Sequence, residues 1–209
     1  MKRLEDSRLY GILDLGYIAP ADIVSVAARM VDGGVDIIQL RAKSYIPDDV
    51  RWFAEDVHTV TSAAGVPLVI NDFPEVADGI GAEGVHLGQD DISVDRARSV
   101  AGYRSMLGKS THNVAQAVAA AAENVDYIGF GPIFATPTKP TYTPIGVHEI
   151  RIVHEQVRKP IFCIGGIKLD NLGAVLEAGA QRVVIVSGIL QAPDITAYCR
   201  KLRAMLPGA

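Results

Sequence analysis

Residues 23–43 read IVSVAARMVDGGVDIIQLRAK. Ile23, Val24, Ala27, Met30 and Val31 recur at the three- and four-residue spacing of one helix face. Gly34 then suits a helix exit, where the chain needs a positive φ. The run that starts at Val35 is short, rich in β-branched residues and nearly continuous in its apolar character. A parallel strand covered on both faces has that pattern. The run ends in Gln39, Arg41 and Lys43, which alternation sends to one side of the strand while Leu40 and Ala42 go to the other.

The same unit recurs along the chain. Apolar runs begin near Arg8, Val35, Val66, Gly84, Ser105, Asp126, Pro160 and Arg182. Between them lie amphipathic stretches, one marked by Val50, Phe53, Val57 and Val60 and another by Leu172, Val175 and Leu176. Asp48 is expected to cap the first of these and Gly65 to close it; Asp170 and Gly179 bracket the second. Glycine handovers at Gly34-Val35, Gly65-Val66 and Gly84-Val85 mark passage from helix to strand. Eight such units predict an α/β fold, a single (β/α)8 TIM barrel, with residues 1–209 forming one domain. A doubly wound open sheet competes, but it usually has five or six strands.

Composition narrows the class. The chain has 209 residues, 49% hydrophobic and 21% charged, with a net charge of −4. Disordered chains are less apolar and more highly charged. A slightly acidic balance gives no pull toward nucleic acid or an anionic membrane. MKRLEDSRLY at the start has no apolar stretch, and no run approaches a membrane span. Cys163 and Cys199 lack metal-ligand spacing. A cytoplasmic protein with two reduced thiols is expected.

In a barrel of this kind, chemistry sits where the strands end. Gln39, Arg41 and Lys43 converge at the mouth and call for anionic partners. Those partners are acidic side chains of neighbouring strands or a phosphate group, and the planar fork of Arg with the point charge of Lys favours phosphate. Asn71-Asp72 ends the third run, and Asp90 or Asp91 follows the fourth. Such a carboxylate pair either neutralises the cations or holds Mg2+, which takes one or two carboxylates together with water and phosphate oxygens. Ser110 and His112 stand too close on one strand for a hydrolase arrangement, so a Ser110 hydroxyl donating to phosphate is favoured. Residues 131–147 make a long loop. Gly165-Gly166 and Ser187 follow the last two runs, where phosphate commonly binds in barrels. Gly79-Ile80-Gly81-Ala82-Glu83-Gly84 matches the dinucleotide-binding pattern, but it closes a helix and opens a strand, the reverse of what that chemistry requires.

Taken together, QLRAK (39–43), VIND (69–72), GVHLGQDD (84–91), GKSTH (108–112), GPIFATPTK (131–139), CIGGI (163–167) and VVIVSGI (183–189) resemble the thiamine phosphate synthase family, in order from Tyr10 to about Leu190. The resemblance implies a transferase. In that family a hydroxymethylpyrimidine diphosphate loses pyrophosphate, and the nitrogen of a hydroxyethylthiazole phosphate attacks the exposed methylene through a dissociative, Mg2+-dependent path. By the same resemblance, Gln39, Arg41, Lys43, Asn71, Ser110 and Lys139 contact the pyrimidine diphosphate, with Arg41, Lys43, Ser110 and Lys139 acting in catalysis. Asp72 and Asp91 hold Mg2+, and Asp90 falls where Glu is common. Thr136, Thr138, Gly166, Val186 and Ser187 hold the thiazole phosphate. Lys109 departs from the apolar residue usual at its position, and Gly11-Ile12-Leu13 departs from the usual opening strand. A thiazole tautomerase and a non-catalytic phosphate sensor are the competing functions, and a homo-oligomer is compatible with the sequence.

Overall fold

The computed structural model describes residues 1–136 and 142–208. Strands β1 (Leu9–Asp14), β2 (Ile37–Arg41), β3 (Leu68–Asn71), β4 (Gly84–Leu87), β5 (Met106–Thr111), β6 (Tyr127–Phe130), β7 (Ile161–Cys163) and β8 (Val183–Ile185) pair in chain order. Each pair is parallel, and β8 pairs back onto β1, so the sheet closes and the open-sheet alternative is excluded. Helices α1 (Ile23–Asp32), α2 (Pro47–Ala63), α3 (Pro74–Ile80), α4 (Val94–Ala101), α5 (Val114–Ala122), α6 (His148–Gln156) and α7 (Leu172–Glu177) each follow one strand. A short α8 (Ser187–Leu190) precedes α9 (Ile195–Met205) after β8.

Strand alternation divides the apolar residues into two cores. Leu13, Ile38, Leu40, Leu68, Ile70, Leu107 and Ile128 face the helices, with Ala27, Met30 and Val57 among their partners. Tyr10, Ile12, Ile37, Val69, Tyr127, Phe162 and Val184 fill the barrel interior. Near-continuous apolar runs are thus the signature of strands with a core on each side.

Several local expectations are corrected. Asp48 lies within the first turn of α2; the helix starts from Ile46 with Pro47 in its first turn, where the missing N–H costs nothing. Asp170 does not cap α7, whose preceding residue is Asn171. Val24 is 38% exposed, and Val26 occupies the inner face of α1 instead. The third helix exit is Gly81, left-handed at φ 70°, while Gly84 already belongs to β4. That placement confirms the exit-turn reading of residues 79–84. Lys109 points away from the barrel interior and pairs with Glu123 at 2.7 Å, which accommodates its charge where the resemblance implied an apolar residue.

At the base of the barrel one device occurs three times. Asp36, just before β2, accepts from the N–H groups of Arg8 and Leu9 at 2.8 and 2.9 Å. Glu83, just before β4, accepts from Leu68 N–H at 2.8 Å, and Asp126, just before β6, from Leu107 N–H at 2.7 Å. A basic side chain faces each: Lys2 at 3.0 Å, His58 at 3.2 Å and Arg98 at 2.7 Å, respectively. Before β8 the matching position holds Arg182, which donates to the carbonyl of Glu5.

Candidate active site

The opposite end of the barrel opens into a cleft of about 790 Å3, partly continuous with solvent. Alternation along the strands brings Asp14, Gln39, Arg41, Asn71, His86 and Ser110 to its wall. Thr136, Gly166, Val186 and Ser187 line the far side. One cavity therefore gathers eight of the residues expected from sequence: Gln39, Arg41, Asn71, Ser110, Thr136, Gly166, Val186 and Ser187. Lys43, Asp72 and Asp91 lie beside it rather than in its lining. Thr138 and Lys139 lie outside the described residues.

Both cations at and just after the end of β2 have carboxylate partners. Arg41 donates through Nη1 to Asp14 Oδ2 at 2.7 Å, and Asp14, 2% exposed at the end of β1, also accepts from Gly16 N–H. Lys43 forms an ion pair with Asp72. The acidic-neighbour reading of these cations is therefore realised. Asp72 follows β3 with φ 68°, a left-handed conformation uncommon outside glycine and held here while its N–H donates to the carbonyl of His86 at 3.0 Å. Burial, reinforced by the neighbouring Asp91 carboxyl, pushes the Asp72 carboxyl up to about 6 against the opposing pull of Lys43. Asp91 also accepts from Gly88 N–H at 2.6 Å, which closes the turn after β4 around it.

Asp72 and Asp91 thus bring two carboxyl groups together beside the Lys43 ammonium. Among the described residues no cluster of three or more His, Cys, Asp or Glu side chains could enclose a metal. Mg2+ does not need one, since water and phosphate oxygens fill the rest of its octahedron. The donor set of Asp72 and Asp91 fits that ion.

Loops after β6 and β7 build the far wall together. Ile133 and Phe134 donate to the carbonyls of Ile164 and Gly165 at 2.8 and 3.0 Å. The contact requires two glycines. A Cβ at Gly165 would lie 2.4 Å from Pro132 Cα, and one at Gly166 would lie 2.6 Å from the Ala135 carbonyl. Both residues also have positive φ. Their N–H groups have no protein acceptor among the described residues. Ser187 opens α8, in which Ile189 and Leu190 donate to the Val186 carbonyl, while the N–H groups of Ser187 and Gly188 have no backbone acceptor among the described residues.

Asp14 and His86, at the mouth, are given no role by the spacing. Asp14 is the partner of Arg41. His86 lies between Ser110 and the Tyr127 hydroxyl. His112 places Nδ1 at 2.6 Å from the Gly131 carbonyl and stacks on Tyr142, so it braces the loop after β6. Asn113 caps α5, its side chain accepting from Gln116 N–H at 2.8 Å.

Fold and site together define a phosphate-handling (β/α)8 enzyme: cations, a carboxylate pair, a hydroxyl and two glycine turns meet in one cleft. The family model described as thiamine monophosphate synthase matches residues 9–189. A thiamine-phosphate synthase of Chloroflexus aurantiacus is 40% identical over 202 residues, covering 96% of this chain and 93% of that protein. One from Thermus thermophilus is 43% identical over 181 residues, 86% and 87% of the two chains. Among solved structures, thiamine phosphate pyrophosphorylase from Pyrococcus furiosus superposes with a TM-score of 0.86 at 27% identity, covering 95% of each chain. The chain belongs to the thiamine monophosphate synthase family.

Proposed function

We propose that this chain, as one barrel domain, joins a hydroxymethylpyrimidine diphosphate to a hydroxyethylthiazole phosphate, giving thiamine phosphate and pyrophosphate. The observation that carries the reading is the shared cleft. Gln39, Arg41, Asn71 and Ser110 occupy one wall; Thr136, Gly166, Val186 and Ser187 face them across the mouth. Two anionic ligands can lie there side by side, which the transfer requires.

Charge develops on the departing pyrophosphate as its C–O bond breaks. Arg41 and Lys43 stabilise that charge through donors already held in place by Asp14 and Asp72, so little reorganisation is needed. Ser110 and Lys139 donate to the same group. Asp72 and Asp91 would hold Mg2+, which neutralises phosphoryl charge when bound. Gln39 and Asn71 orient the pyrimidine ring, whose amino group supplies the electron push, so no protein nucleophile is needed. Thr136, Thr138, Gly166, Val186 and Ser187 hold the thiazole phosphate and aim the thiazole nitrogen at the methylene.

The carboxylate pair disfavours a tautomerase or a silent sensor, neither of which needs it. No helix among the described residues is long and apolar enough to cross a membrane. Together with two buried free thiols, this supports placement in the cytoplasm. The test is incubation of purified protein with both half-molecules and Mg2+, with thiamine phosphate and pyrophosphate followed by chromatography. Formation of both products, abolished by chelation, is expected; no product with Mg2+ present would refute the reading.

A further inference from the structure

From the cleft wall down into the barrel interior, five polar side chains from five strands form a continuous line. Gln39 Nε2 donates to the Tyr10 hydroxyl at 2.8 Å, and that hydroxyl lies 3.0 Å from the Tyr127 hydroxyl. The Tyr127 hydroxyl lies 3.1 Å from His86 Nδ1, and His86 Nε2 lies 2.9 Å from Ser110 Oγ. Both tyrosines are 1% exposed, inside the barrel and below the cleft lining. Gly108 makes this possible: a Cβ there would fall 2.1 Å from the Tyr127 ring. Phe162 packs edge-on against both rings and holds them in place.

Donor chemistry gives the line a direction. An amide nitrogen can only donate, so Tyr10 accepts from Gln39 and spends its single proton on Tyr127. Tyr127 then spends its own proton on His86 Nδ1, which must be bare. The imidazole proton therefore sits on Nε2 and is given to Ser110. That leaves the Ser110 hydroxyl proton for an acceptor in the cleft. Burial pushes both tyrosine hydroxyls above their ordinary range, so each keeps its proton near neutral pH. With the opposite polarity, Ser110 would spend its proton on His86 and show only lone pairs to an incoming anion.

We propose that Tyr10 and Tyr127 are positioning residues: through a one-way chain of hydrogen bonds they fix His86 as its Nε2–H tautomer and turn the Ser110 hydroxyl proton toward an anionic oxygen in the cleft. The same chain leaves the Gln39 carbonyl oxygen as an acceptor at its other end, suited to an amino group. The kinetic consequence rests on the synthase reading; the tautomer does not.

The first test is 15N NMR of the imidazole groups in the wild-type protein, with His86 assigned by its loss in His86→Gln. A protonated Nε2 and an unprotonated, accepting Nδ1 near neutral pH are expected. Protonation on Nδ1 overturns the proposal. The second test is Tyr127→Phe, expected to lower kcat about tenfold, the worth of one buried hydrogen bond, with smaller changes in either KM. In a Ser110→Ala background the same substitution is expected to cost almost nothing further, because its effect passes through Ser110. Equal losses in both backgrounds would mean that Tyr127 only supports packing, and the proposal would fall. Should the wild-type protein make no thiamine phosphate, the synthase reading fails and the tautomer alone decides the chain.

Discussion

At the base of the barrel Asp36 meets two backbone N–H groups and the Lys2 ammonium, whereas at the mouth Asp72 meets one ammonium and a second carboxylate, Asp91. Burial opposes ionisation at both. At Asp36 the N–H groups of Leu9 and Arg8, with Lys2, outweigh burial and hold the carboxyl below its ordinary range. At Asp72 burial and Asp91 prevail, and the carboxyl rises to about 6. The backbone tells the same story, since Asp72 adopts a left-handed φ of 68°. Charge at the base is satisfied within the protein and locks adjacent strand starts together. At the mouth two carboxylates share one cleft rim with a cation, a strained arrangement of the kind that clusters at functional sites.

The comparison is sharpest when the two carboxylates are neutralised in turn. Asp72→Asn keeps a side chain that tolerates left-handed backbone while removing one of two repelling charges. Turnover is expected to fall by about 10²–10³-fold, the scale of losing a preorganised electrostatic group, with the thermal midpoint unchanged or raised. Addition of Mg2+ with pyrophosphate is expected to raise the midpoint of the wild type and not of this variant. A marked loss of stability in Asp72→Asn would mean that the mouth is built like the base.

Asp36→Asn should behave in the opposite way. Stability is expected to drop by about 2 kcal/mol, the range for hydrogen bonds to a charged acceptor, or roughly 4–8 °C in thermal midpoint for a chain of this size, with kcat unchanged. The pH dependence has a definite sign. Because the folded carboxyl is held below its unfolded value near 4, its contribution is complete above that pH and is lost as pH falls through the folded value. Denaturation curves of wild type and variant are therefore expected to converge only in acid. A gap that stays constant through the acid range would dismiss the charged contacts as its source.

The smallest effect is expected at the far wall. Thr136→Ala is expected to raise KM for the thiazole phosphate by a few-fold, the worth of one hydroxyl hydrogen bond, and to leave KM for the pyrimidine diphosphate nearly untouched. Equal effects on both would show that the two walls do not divide the ligands as proposed.

How much of this could be read without a structure depends on how local each feature is. The eight strands were legible because a β-branched run buried on both faces is encoded by residues adjacent in the chain. Gln39, Arg41, Asn71, Ser110 and Ser187 were legible because they end such runs, and barrel geometry then places them at one mouth. The caps expected at Asp48 and Asp170 were misread: Pro47 set the start of α2, and Asn171 directly precedes α7. His86 was visible as the end of a strand but had no assignable role. Its partners Tyr127 and Ser110 lie 41 and 24 residues away, on other strands.

The sequence by itself determined the barrel and pointed to the strand ends as the place of the candidate site, because periodicity and strand-end composition are short-range properties of the chain. Only the tertiary structure decided that Arg41 rests on Asp14, that Asp72 faces Asp91, and that Tyr10 and Tyr127 link Gln39 to His86. Those contacts cross the barrel or join neighbouring strands at a particular register, and that register exists only once β8 has closed onto β1.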